Sequence, residues 1–159
     1  MVEESRRELV PLSPEEEAFV RAFARALLTV PRALDADLLR EQRMSVNEYN
    51  TLMHLSEAPG RRLRMSDLAA ASTLSLSGMT RIMNRLEDLG LVRRERCAFD
   101  GRSLEAVLTD AGLERLRQAW PTHLNSVRRH IVDHLHPVDL PAVTTALEHF
   151  AAGARCDPE

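Results

Sequence analysis

LSLSGMTRIMNRLEDLGLVRRERCAFDGRSLEAVL, residues 74–108, is the stretch that decides the fold. Its pattern predicts one helix followed by a two-stranded hairpin. Stepping about 100° per residue from Met79 places Leu76, Met79, Ile82, Met83, Leu86 and Leu89 on one side. Ser77, Thr80, Arg81, Asn84 and Asp88 fall on the other, with Arg85 at its edge. The apolar side needs a core. The polar side carries hydroxyls, an amide and guanidinium groups, the side chains that hydrogen-bond base edges and phosphates in a major groove. Gly90 stands where a C′ glycine ends a helix. Arg93, Arg94 and Arg96 rise into an Asp100-Gly101-Arg102 turn, and Leu104, Ala106 and Leu108 alternate on the way down.

On the N-terminal side, residues 66–71 read as a short helix, Ser72-Thr73-Leu74 as a turn, and Ser75 as the N-cap of the helix above. Residues 66–89 thus have the length and order of a helix-turn-helix with the second helix as reader. A reader helix followed by a basic hairpin is the plan of a winged helix-turn-helix. Polar helix faces also occur simply against water; arginines directly after the helix favour the nucleic-acid reading.

Long helices flank this unit. Ser13-Pro14-Glu15-Glu16 is a helix start, and Phe19, Phe23, Leu27, Val30, Leu34 and Leu38 form a stripe to about Arg40, with a kink expected at Pro31. Ser45-Val46-Asn47-Glu48 opens a second helix with an apolar face of Tyr49, Leu52, Met53 and Leu55, ended by Pro59-Gly60. Arg61 to Arg64 is a basic link with room for one extended pairing. After the hairpin, Thr109 caps a helix whose Leu113, Leu116, Trp120, Leu124, Val127, Ile131 and Leu135 approach a heptad seam, bent at Pro121. His136-Pro137 ends it, and a last helix from Asp139 or Pro141 carries Leu140, Val143, Leu147 and Phe150. One chain could bury these stripes internally. Two-fold symmetry, which lets such readers span two half-sites, favours a helical dimer interface.

The 159 residues carry a net charge of −3, yet residues 61–109 hold nine Arg against six Asp and Glu. A basic segment on an acidic scaffold suits a DNA contact. No apolar run reaches a membrane span of about 20 residues, and the acidic start, MVEESRRELVPLSPEEE, lacks a signal-peptide core; a cytoplasmic protein with no membrane partner is expected. Cys97 and Cys156 lack CxxC spacing and read as free thiols. No nucleophile elbow, phosphate loop, zinc-protease helix or dinucleotide fingerprint occurs. The reading is therefore not an enzyme, and no cofactor is expected.

LRMSDLA (63–69), the LSLSGMTRIMNRLEDLGLVRR run (74–94) and DGRSLEAVLTDAG (100–112) together make the chain resemble the MarR family of bacterial transcriptional regulators over nearly its whole length. The resemblance implies a mainly α fold with a small β-wing: a winged helix-turn-helix over 45–109 and a helical dimerisation region from 1–44 and 110–159. It implies a homodimer on an inverted-repeat operator in double-stranded DNA. It also implies a small-molecule or oxidant signal that alters affinity. Carried over by position, the reader contacts are Ser75, Ser77, Thr80, Arg81 and Asn84. Arg102 enters the minor groove, and Asp100 orients the wing by pairing with an arginine, Arg85 being one candidate. Arg85, Arg94 and Arg96 add basic groups to the same surface. The effector pocket is implied where the first, second and fifth helices meet the reader lobe, with Tyr49, Met53, His54 and Trp120 as candidate linings. Oxidant-sensing members carry a cysteine early in the first helix. Ala18 and Phe19 stand in that region here, which argues against that branch.

The sequence thus reads as a dimeric, sequence-specific DNA-binding regulator, a repressor relieved by a small ligand. Two alternatives stay open. His130 and His134, four apart, could hold zinc with Asp133, Glu148, His149 or Cys156 completing the site, giving a metal-responsive version of the same fold; no metal ligand set is assigned. A helical interaction protein without DNA binding would have a neutral wing, and this one is rich in arginine.

Overall fold

Ser13, Ser45, Ser75 and Thr109 each turn a side-chain oxygen onto the first turn of a helix, and these caps set out the chain. The computed structural model describes residues 10–96 and 104–153. Its elements are α1 (Pro14–Gln42), α2 (Val46–Glu57), β1 (Arg62–Arg64), α3 (Met65–Ala71), α4 (Leu76–Asp88), β2 (Val92–Arg96), β3 (Leu104–Leu108), α5 (Asp110–His130) and α6 (Leu140–Gly153). Ser13 and Ser45 form full capping boxes with Glu16 and Glu48. No described helix is long and apolar enough to cross a membrane.

The core lies between α2, α3, α4 and the sheet. Tyr49, Leu52, Leu55, Leu68, Met79, Met83, Leu86 and Val92 are fully buried there, with Leu38 from the end of α1. Met79, Met83 and Leu86 bear out the apolar side expected of the reader, whereas Leu76 and Leu89 are exposed. They sit at the two ends of α4, where the neighbouring elements no longer cover the stripe. Gly90 adopts φ +71°. Its N–H donates to the Glu87 carbonyl and that of Leu91 to the Leu86 carbonyl, a Schellman ending that drops the chain into β2.

The expected hairpin forms from β2 and β3, and the extended pairing allowed for at Arg61 to Arg64 adds β1, making a three-stranded antiparallel sheet ordered β1-β3-β2. Arg62-Leu63-Arg64 alternates as a strand does, and Leu63 pairs with Ala106. The basic link is therefore the sheet's third strand and ties the start of α3 to the wing.

Two further corrections concern the flanking helices. α5 ends at His130, where Ile131 leaves helical geometry (φ −130°, ψ −70°), so the seam does not continue to Leu135. The face of α5 packed inward is Leu116, Ala119, Thr122 and Ser126, while Trp120 is 51% exposed and Leu124 faces outward too. Small side chains let α1 and α5 approach closely; of the seam, Leu113 and Leu116 pack into the core, whereas Trp120 and Leu124 do not. On α1, Phe19 and Leu27 are likewise exposed, and only Leu38 of the stripe is fully buried. Pro31 and Pro121 lie inside unbroken helices. α6 has no buried residue, and its Phe150 meets Phe23 of α1 edge-on at 5.6 Å.

Candidate nucleic-acid interface

The exposed face of α4 is held ready by its own hydrogen bonds. Ser75 Oγ accepts from the Gly78 N–H at 3.1 Å and lies 3.1 Å from Ser77 Oγ. Thr80 donates its hydroxyl to the Leu76 carbonyl at 2.8 Å. Arg81 is exposed and has no hydrogen bond or ion pair among the described residues. Asn84 stands one turn beyond Thr80, also exposed. A free guanidinium, two hydroxyls and an amide thus line one helix face over a rigid core.

The arginines around this face differ sharply. Arg85 pairs with Glu48 of the α2 capping box at 2.6 Å, so α2 and the reader are joined by an ion pair. Arg94 folds back from β2. Its Nη1 donates to Glu87 at 2.5 Å, and its Nη2 donates to the Thr80 carbonyl at 3.2 Å and to Asn84 at 2.7 Å. The Glu87 carboxylate also accepts the Arg94 backbone N–H at 2.9 Å. With its side chain 19% exposed, Arg94 is largely spent inside the protein. Arg93 bonds to Glu95 and pulls that carboxyl below its ordinary value. Arg96 is exposed at the end of β2 without a partner among the described residues. Asp100 and Arg102, read as wing contacts, and Cys97 lie outside the described residues, as does Cys156.

The sequence did not reveal the links from Glu87 and Asn84 to Arg94 or from Glu48 to Arg85. Each joins separate elements through charges that look solvated on a helical wheel.

Away from the reader, a cavity of about 360 Å³ opens between α2 and α5, lined by Tyr49, Met53, Ser56, Glu57, Leu116, Arg117 and Trp120. Three of the four candidate effector residues meet there; His54 does not line it. A second space of about 490 Å³ lies between the start of α2 and α4, bounded by Leu39, Glu48, Arg81 and Arg85, and none of the four lines it. Tyr49 stacks on His123 with ring centres 4.2 Å apart. Burial, with the charge of Glu57, pushes the Tyr49 phenol up to about 12, and burial pushes His123 down. Both rings are therefore neutral at neutral pH.

Where α1 meets α5, the buried Asp37 carboxylate accepts from Ser126 Oγ at 2.7 Å and Arg40 at 2.6 Å, and lies 3.0 Å from His130 Nε2. The Ser126 bond, then Arg40, hold this carboxyl well below the usual carboxylate range. His130 is thus engaged with Asp37, and the end of α5 separates it from His134. Among the described residues no three His, Cys, Asp or Glu groups are placed to hold a metal ion.

Comparison with known proteins follows this geometry. The family model described as the MarR family matches residues 44–103. The crystal structure of AbsC, a MarR family transcriptional regulator from Streptomyces coelicolor, is 39% identical with a TM-score of 0.85, covering 94% of this chain and all of that one. Sco3205 from the same organism, a MarR family regulator solved in complex with DNA, is 35% identical with a TM-score of 0.87, covering 94% and 93%. A helix-turn-helix-type transcriptional repressor of Mycobacterium tuberculosis is 33% identical over 76 residues, 48% of this chain. That match takes in 53% of the relative, so the chain spans about half the length of the curated relatives it matches in this way.

Proposed function

The chain belongs to the MarR family of transcriptional regulators, and on that premise we propose that it is a dimeric, sequence-specific DNA-binding repressor, released from its operator by a small-molecule ligand. One observation carries the proposal. The α4 face presents Arg81 unpaired among the described residues beside Ser77, Thr80 and Asn84, on a helix whose other side is locked in the core. Such a face can enter a major groove without reorganising. The DNA-bound state of a 35%-identical relative supports the same reading. Arg96, and Arg102 by its place in the sequence motif, add the wing's contacts.

Dimerisation is supported by what the single chain leaves uncovered. Phe19 and Leu27 of α1, Trp120 and Leu124 of α5, and Leu140, Leu147 and Phe150 of α6 are exposed. The helical region 1–44 with 110–159 is the proposed interface. The cavity between α2 and α5 is the proposed effector site: Met53, Leu116, Trp120 and the Tyr49 ring, with Glu57 and Arg117 among its lining, suit a small, largely apolar ligand with a polar end.

The test begins with selection of duplexes from a pool of random-sequence DNA by the purified protein. Arg81→Ala should weaken binding to the selected duplex by about 1–3 kcal/mol while leaving the fold intact by circular dichroism. Binding equal to the parent would contradict the assignment of this face.

A further inference from the structure

We propose that Arg94 fixes the amide of Asn84 so that it meets DNA as a hydrogen-bond donor, and that the base read by Asn84 therefore presents an acceptor. The inference rests on the DNA-binding reading above and adds the polarity of one contact.

A guanidinium carries five N–H groups and no acceptor. The Asn84 atom 2.7 Å from Arg94 Nη2 is therefore the carbonyl oxygen, whichever way the amide is drawn. Arg94 is not free to leave. Glu87 holds both its guanidinium and its backbone N–H, and the Thr80 carbonyl takes a further bond. The Asn84 oxygen is thus anchored to the root of the wing, and the exposed amide offers its NH₂ group.

This changes what Asn84 can read. The familiar asparagine grip on adenine uses both ends of the amide: oxygen accepts from N6, nitrogen donates to N7. Here one lone pair of that oxygen is already taken by the guanidinium, so an adenine N6–H would have to share an oxygen bound to a cation, and the grip loses its advantage. A donor alone matches guanine O6 and N7, adenine N7 or thymine O4, and cannot accept from cytosine N4. Thr80, one turn earlier on the same face, is fixed in the opposite sense. Its one hydroxyl hydrogen goes to Leu76, so it offers DNA lone pairs and a methyl group. The two positions present an acceptor and a donor in fixed order along the helix.

Base preference, rather than affinity, is the readout. Duplexes selected from the random pool are varied one base pair at a time, and binding is measured for the parent, Asn84→Ala, Asn84→Asp and Arg94→Met. The position at which Asn84→Ala flattens the preference is the one Asn84 reads. There the parent should favour guanine or thymine over cytosine roughly tenfold, with no advantage for adenine over guanine. Asn84→Asp keeps the bond to Arg94 but offers DNA an acceptor, and should move the preference roughly tenfold toward cytosine or adenine. Arg94→Met frees the amide and should raise adenine relative to guanine. Circular dichroism separates misfolding from changed readout, and Asn84→Asp tests the point without disturbing the Glu87 pair. A strong adenine preference in the parent, an unmoved profile in Asn84→Asp, or no position sensitive to Asn84→Ala overturns the proposal while the DNA-binding reading stands. A parent that selects no duplex removes that reading, and this inference with it.

Discussion

Asp37 gathers Ser126, Arg40, Arg129 and His130 around one buried carboxylate and so joins α1 to α5. Replacing it by Asn removes the charge that these donors serve, and should cost about 1.5–3 kcal/mol at neutral pH. The sign with pH follows from its lowered folded-state pKa. The stabilisation is complete above the unfolded value of about 3.9 and is lost as pH falls through the folded value. The gap in urea midpoint between parent and Asp37→Asn should therefore be widest near neutrality and narrow below about pH 4. No narrowing between pH 7 and about pH 2.5 would contradict the assignment. Single residues are also where the sequence was least informative. Arg81, Arg85 and Arg94 look equivalent on the chain, but one is unpaired among the described residues, one serves Glu48 and one serves Glu87 and Asn84. A helical wheel gives an angle, whereas partnership depends on which carboxylate the fold brings up to it.

The elements were far more legible, because caps and periodicity are local. Ser13, Ser45, Ser75 and Thr109 start α1, α2, α4 and α5 as their positions predict, and Gly90 ends the reader. What failed was continuity. The α5 seam kept its spacing past His130, but a repeat in sequence does not oblige the backbone to stay helical. β1 showed only as room for one extended pairing, because three residues give barely one alternation. Gly112 shows how elements are joined. A Cβ there would lie 2.0 Å from the Leu91 carbonyl oxygen and 2.7 Å from Leu108 Cδ1, so only glycine lets the first turn of α5 rest on the end of the reader unit. Gly112→Ala should cost about 1–3 kcal/mol or more and lower the Tm by roughly 3–10 °C. Thr109→Val at the neighbouring cap, which keeps Gly112 in place, is the comparison and should lower Tm by the smaller amount expected of a lost helix cap. Equal Tm values for the two variants would contradict the close approach.

The whole molecule divides into a part that satisfies itself and a part that does not. The reader unit has a closed core; α1, α5 and α6 leave large apolar side chains in water. Membership of a family of transcriptional regulators, rather than of enzymes, is in keeping with the proposed dimer, in which that asymmetry would hold two readers at a fixed spacing. Deleting residues 137–159 should yield monomer or aggregate in sedimentation, and a well-folded dimer from that truncation would contradict the proposed interface. The sequence conveyed this division through its uncovered stripes, although it could not say which stripes the chain would cover by itself. The central claim is that two α4 helices read DNA together. Hydroxyl-radical footprinting on a duplex selected by the full-length protein tests it most directly. The account predicts two protected half-sites in inverted repeat, with centres about one helical turn or a multiple of it apart. A single asymmetric protected patch, or no protection at protein concentrations that saturate the duplex, would contradict it.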